Sequence, residues 1–62
     1  MKKKLVYDKL FKANDELWEV LENILYEEQR KGNKSAKLTK LIEYVETAAD
    51  QTGAALSILE QE

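Results

Sequence analysis

No proline interrupts the 62 residues, and apolar side chains recur at three- and four-residue steps on both sides of one polar break, Gly32-Asn33-Lys34-Ser35. That spacing builds one face of a helix, and it lacks the alternation of a half-buried strand. The first run is Tyr7, Leu10, Phe11, Leu17, Trp18, Leu21, Ile24 and Leu25; the second is Leu38, Leu41, Ile42, Val45, Ala48, Ala49, Thr52, Ala55, Leu56 and Leu59. Arg30 and Lys31 suit the negative end of the first helix, Gly32 its left-handed cap, and Ser35 or Asn33 the N-cap of the second. The expected fold is all-α: one domain over 1–62, an antiparallel two-helix hairpin with a helix at about 4–31, a turn at 32–35 and a helix at about 36–60.

Two local signals oppose unbroken helices. Ala13-Asn14-Asp15-Glu16 resembles a helix start, and Gly53 costs about 1 kcal/mol relative to alanine in a helix interior. The apolar phase runs through both, so each is expected inside a helix. Folding about Asn33 sets residue i beside roughly residue 66 minus i, twice 33 being 66. Trp18 then falls opposite Ala48 and Ala49, Leu25 opposite Leu41, Leu10 opposite Leu56, Tyr7 opposite Leu59, and Asn14 opposite Thr52. A polar pair in a helical seam either fixes register and oligomeric state or sits at a wet edge.

A chain this short barely offsets its conformational entropy with its own core. It holds no cysteine or histidine, so a disulfide staple or a cysteine–histidine zinc site is excluded. Each helix carries a second apolar shoulder: Val6, Ala13, Val20 and Ile24 on the first, and Tyr44, Ala48, Ala55 and Ile58 on the second. One stripe per helix closes a hairpin. The surplus predicts a homodimer that completes a four-helix bundle, with a different protein on that surface as the alternative.

The net charge of −2 hides a segregation. Acids without bases fill 14–29 and the stretch from Leu41 onward, giving outer faces that bear Asp15, Glu19, Glu22, Glu43, Glu46 and Asp50, with Tyr26 among them. Such faces suit a partner protein with a basic surface. Bases gather at the turn, as Arg30, Lys31, Lys34, Lys37 and Lys40, and at the open end, as Lys2, Lys3, Lys4, Lys9 and Lys12. The turn is the candidate nucleic-acid contact, with Asn33 and Ser35 as added hydrogen-bonding groups. No aromatic interleaves that basic cluster, which makes nucleic acid the weaker alternative.

Without thiol or imidazole, catalysis would rest on carboxylates, lysines or tyrosines. Glu19-Val20-Leu21-Glu22 and Glu43-Tyr44-Val45-Glu46 are paired acids at three-residue spacing. The pattern is similar to the paired acidic motifs of all-helical nucleotide pyrophosphohydrolases, which would imply a magnesium-dependent enzyme. That family usually closes its second motif with aspartate, uses a longer chain and gathers its acids in a cleft, whereas these four point outward. In length and hairpin plan the chain also resembles the Rop-type dimers that bind paired RNA loops, without a shared residue motif. The expectation is a non-enzymatic regulator or inhibitor that binds protein, of the kind phages and mobile elements encode, with no cofactor. No apolar run approaches a membrane span, and the lysine-rich start lacks the apolar core of an export signal, so a cytoplasmic protein is expected.

Overall fold

In the computed structural model, which describes residues 1–61, the chain is a helical hairpin 44 Å long and about a third as wide. The first arm joins α1 (Lys3–Val20), a π-helical turn (Leu21–Leu25) and α2 (Tyr26–Arg30); the second arm is α3 (Ala36–Glu60). Both disputed positions lie inside helices, Asn14 in α1 and Gly53 in α3.

The turn follows the capping chemistry. Gly32 has φ of +97°, and the Gly32 and Asn33 amides donate back to the carbonyls of Gln29 and Glu28, a Schellman closure. Ser35, not Asn33, caps α3: its Oγ accepts from the Leu38 amide at 3.1 Å.

Along α3 the inward residues are Leu38, Ile42, Val45, Ala49, Thr52, Leu56 and Leu59, a heptad seam of alternating four- and three-residue steps. The first arm matches it with Tyr7, Leu10, Asn14, Leu17 and Leu21, of which Leu21 is wholly buried. Its next step departs from the heptad. The π turn takes in one extra residue, its closing hydrogen bond running from the Tyr26 amide five residues back to the Leu21 carbonyl. Leu25 therefore enters the seam at 7% exposure, while Ile24, the heptad choice, is left 60% exposed.

Two predicted layers are corrected by this packing. Leu41 is 49% exposed; Leu25 clusters instead with Leu21, Leu38, Ile42 and Ala49. Leu17, not Trp18, packs on that cluster from α1, and Trp18 stays on the surface together with Phe11. The Asn14–Thr52 layer holds: Asn14 Nδ2 donates to Thr52 Oγ1 at 2.7 Å and to the Ala49 carbonyl at 2.8 Å. It divides the seam into a larger core toward the turn and the buried Leu56 and Leu59 near the open end.

Candidate functional site

Heptad geometry assigns the exposed residues to two sides. In an antiparallel pair, the positions just before each seam residue Leu21, Ile42, Ala49 and Leu56 flank each other on one side; on the other stand the positions four residues after Ile42, Ala49 and Leu56 and, because of the π turn, five after Leu21. The hydrogen bond of 2.5 Å from Tyr26 Oη to Glu46 Oε2 fixes the second side, because it spans the two arms there. At the open end, Tyr7 Oη donates to Glu60 Oε1 at 2.9 Å on that same side.

On the first side lie Val6, Ala13 and Val20 from α1, Leu41, Ala48 and Ala55 from α3, and the adjoining Ile24, Tyr44 and Ile58. The four residues Val6, Ala13, Ala48 and Ala55 are half-buried, whereas Val20, Ile24, Tyr44 and Ile58 are exposed. Both predicted shoulders thus share one broad apolar side. Leu41 belongs to it as well, a residue that periodicity alone had placed in the core. The small alanines occupy its middle and the larger side chains its ends.

The second side is acidic and aromatic. Tyr26 is half-buried against the core cluster, not free on the surface as the sequence suggests, because the extra residue of the π turn rotates it toward α3. Its hydroxyl pKa is raised, first by the hydrogen bond to Glu46, then by desolvation and by the negative charges of Glu46, Glu22 and Asp50. Glu46 thus holds this phenol directly, while Glu22 and Asp50 act on it only through their charge. Asp15, Glu19 and Glu43 are exposed and make no contact with it. Phe11 and Trp18 stand on this side too, Phe11 stacked on Tyr7 with ring centroids 6.1 Å apart. Tyr7 has a raised pKa, chiefly from its bond to Glu60.

Arg30, Lys31, Lys34, Lys37 and Lys40 are all exposed around the turn. The polar groups expected to assist them are occupied locally. Asn33 Oδ1 accepts from the Ser35 amide, Ser35 Oγ caps α3, and Arg30 pairs with Glu27 at 3.2 Å. Among the described residues, no three acids converge on a point that could hold a metal ion. Glu19, Glu22 and Glu43 point to solvent, and Glu46 is held by Tyr26. No helix of the described residues is long and apolar enough to cross a membrane.

No protein-family model matches the chain, and comparison with curated proteins and with solved structures likewise finds no match.

Proposed function

We propose that the protein is a non-enzymatic binding module: a homodimer joined through its apolar side, forming a four-helix bundle, that docks another protein through the acidic–aromatic side. The observation that carries the reading is the chemical opposition of the two sides of one hairpin, apolar around Ala13, Ala48 and Ala55 and acidic around Tyr26.

Surface area supports the dimer. The chain exposes 4920 Å², whereas a compact folded monomer of 7.2 kDa exposes about 4,100 Å², leaving an excess of about 800 Å². That is roughly what each partner buries in a standard protein interface. Alanines at the middle of the side let two hairpins approach closely, with Ile24, Leu41, Tyr44 and Ile58 filling the ends.

Light scattering tests the scaffold. Wild type should have twice the 7.2 kDa chain mass, and Ile24→Asp with Ile58→Asp should return it to one chain. A well-folded wild-type monomer at every concentration would remove the dimer. Affinity capture from the native host, repeated after charge reversal at Glu19, Glu22 and Asp50, tests the docking side. Capture that is indifferent to the reversal would remove the acidic side from the function.

A further inference from the structure

The interior of α3 holds a glycine that the hairpin does not need. A Cβ built on Gly53 meets nothing nearer than Asn14 Nδ2 at 3.8 Å, an ordinary contact, so alanine fits the hairpin without strain. Its φ is not left-handed either, Gly32 being the glycine with positive φ. Glycine in a helix interior is unfavourable relative to alanine, so its presence calls for another reason. Close approach of something outside the hairpin is one such reason.

Its surroundings identify what would approach. Gly53 lies four residues after Ala49, on the same side as Glu46 and Glu60, and level with the α1 segment between Phe11 and Trp18. Phe11 is 56% exposed and Trp18 37%, and no atom of either comes within 4 Å of the Gly53 Cβ position. The missing Cβ thus leaves a gap on this side, the notch, level with the stretch of α1 between two exposed aromatics. Asp50 lies one turn before it, and Glu22 and Glu46 continue the negative charge toward the turn. Acid-rimmed aromatic surfaces favour guanidinium and ammonium groups, which stack on the rings while pairing with the carboxylates.

We propose that the Phe11–Trp18–Gly53 notch seats an arginine-bearing helix of a partner protein, whose small apolar side chain rests on Gly53 while its arginines reach Glu22, Glu46 and Asp50. This rests on the docking role assigned above to the acidic side and adds the position and chemistry of the contact. A helical occupant fits because a single glycine gap in a straight helix face accepts the ridge of another helix.

Trp18 is the sole tryptophan, so its fluorescence reports on the notch directly. The probe is a synthetic amphipathic helical peptide with an alanine–leucine stripe flanked by arginines, and the control is the same peptide with glutamates for arginines. The arginine peptide should shift Trp18 emission to the blue saturably, with an affinity that falls roughly tenfold when salt rises from about 0.05 M to about 0.3 M. Gly53→Leu should weaken it at least about tenfold with helicity and molecular mass unchanged, because the leucine fills the floor of the notch. Equal binding of the glutamate peptide, or full-strength binding of the arginine peptide to Gly53→Leu, would overturn the notch. Should charge reversal at Glu22 and Asp50 abolish binding while Gly53→Leu does not, the acidic docking side survives and the notch alone fails. No binding of either peptide refutes both. A change of mass in Gly53→Leu would assign the notch to self-association and refute the proposal as well.

Discussion

Asn14→Asp is the most discriminating single change, because it preserves shape while exchanging a donating amide for a carboxylate. Asn14 Nδ2 gives both of its hydrogens across the hairpin, to the Ala49 carbonyl at 2.8 Å and to Thr52 Oγ1 at 2.7 Å. A carboxylate has none to give. The Thr52 hydroxyl, which now donates to Ala49 O at 2.9 Å, could turn toward the carboxylate and recover one bond only by giving up the other. At about 0.5–1.5 kcal/mol per net hydrogen bond, the loss is about 1–3 kcal/mol, the lower half applying because the site is only half-buried. For a chain of this size about 1 kcal/mol moves the melting temperature by roughly 8 °C, so the variant should melt about 8–15 °C lower at neutral pH. The sign of its pH dependence follows from the same geometry. An oxygen facing a carbonyl raises the folded pKa of the introduced acid above its unfolded value of about 3.9. The variant's deficit therefore narrows as pH falls through the folded pKa, since the protonated acid regains a donor. Thermal melts of wild type and Asn14→Asp by circular dichroism at pH 7 and near pH 4 measure both effects as differences. A variant as stable as wild type at neutral pH, or a deficit that does not shrink in acid, would show that Asn14 is not the donor holding this layer.

Other consequences are quicker to state. Leu21→Ala removes the one wholly buried large side chain among the described residues and should cost about 3–5 kcal/mol, enough to leave the chain largely unfolded by circular dichroism, where Leu5→Ala on the exposed surface changes little. Ser35→Ala deletes the acceptor for the Leu38 amide and should cost about 1 kcal/mol, while Gly32→Ala forces a side chain into the left-handed region at +97° and should cost about the same, both read from denaturant midpoints. Tyr26 and Tyr7 have raised hydroxyl pKa values, so what they contribute is intact below the ordinary tyrosine value of 10.0 and disappears as pH rises through their folded values. Alkaline unfolding followed by circular dichroism should accordingly be shallower in the Tyr7→Phe, Tyr26→Phe double variant; an unchanged profile would mean that neither phenol supports the hairpin.

The hairpin was legible because helix periodicity, capping residues and the absence of proline agree across the whole chain. Asn14 and Thr52 met as a register counted from the turn requires, since a five-residue link, 31–35, closed by caps on both sides leaves an antiparallel pair little freedom to slide. What the pattern could not supply was the phase beyond Leu21. Ile24 and Leu25 are equally apolar neighbours, and choosing between them depends on which fills the space between Leu38 and Ile42, a property of the other arm. The same limit explains Leu41 and Trp18: each is three or four residues from a seam residue, so spacing alone admits them to the core. The two-sided surface was half visible. The apolar shoulders could be listed from sequence, but the meeting of Tyr26 with Glu46 across the arms depends on the rotation introduced by the π turn. Gly53 carried a signal that was available from the start, a helix-interior glycine in an unbroken apolar phase.

One extra residue in the π turn makes the hairpin two independently indexed parts. From Tyr7 to Leu21 the first arm keeps step with α3, whereas everything from Leu25 onward is turned by roughly one residue's worth of helix, about 100°. An insertion or deletion between Leu21 and Leu25 would therefore re-aim Tyr26, Glu27 and Arg30 around the rod while leaving the Asn14 layer and the open end untouched. The segment acts as a vernier between stem and tip, and the tip's surface can be changed by adjusting chain length where substitution alone would have to rebuild it.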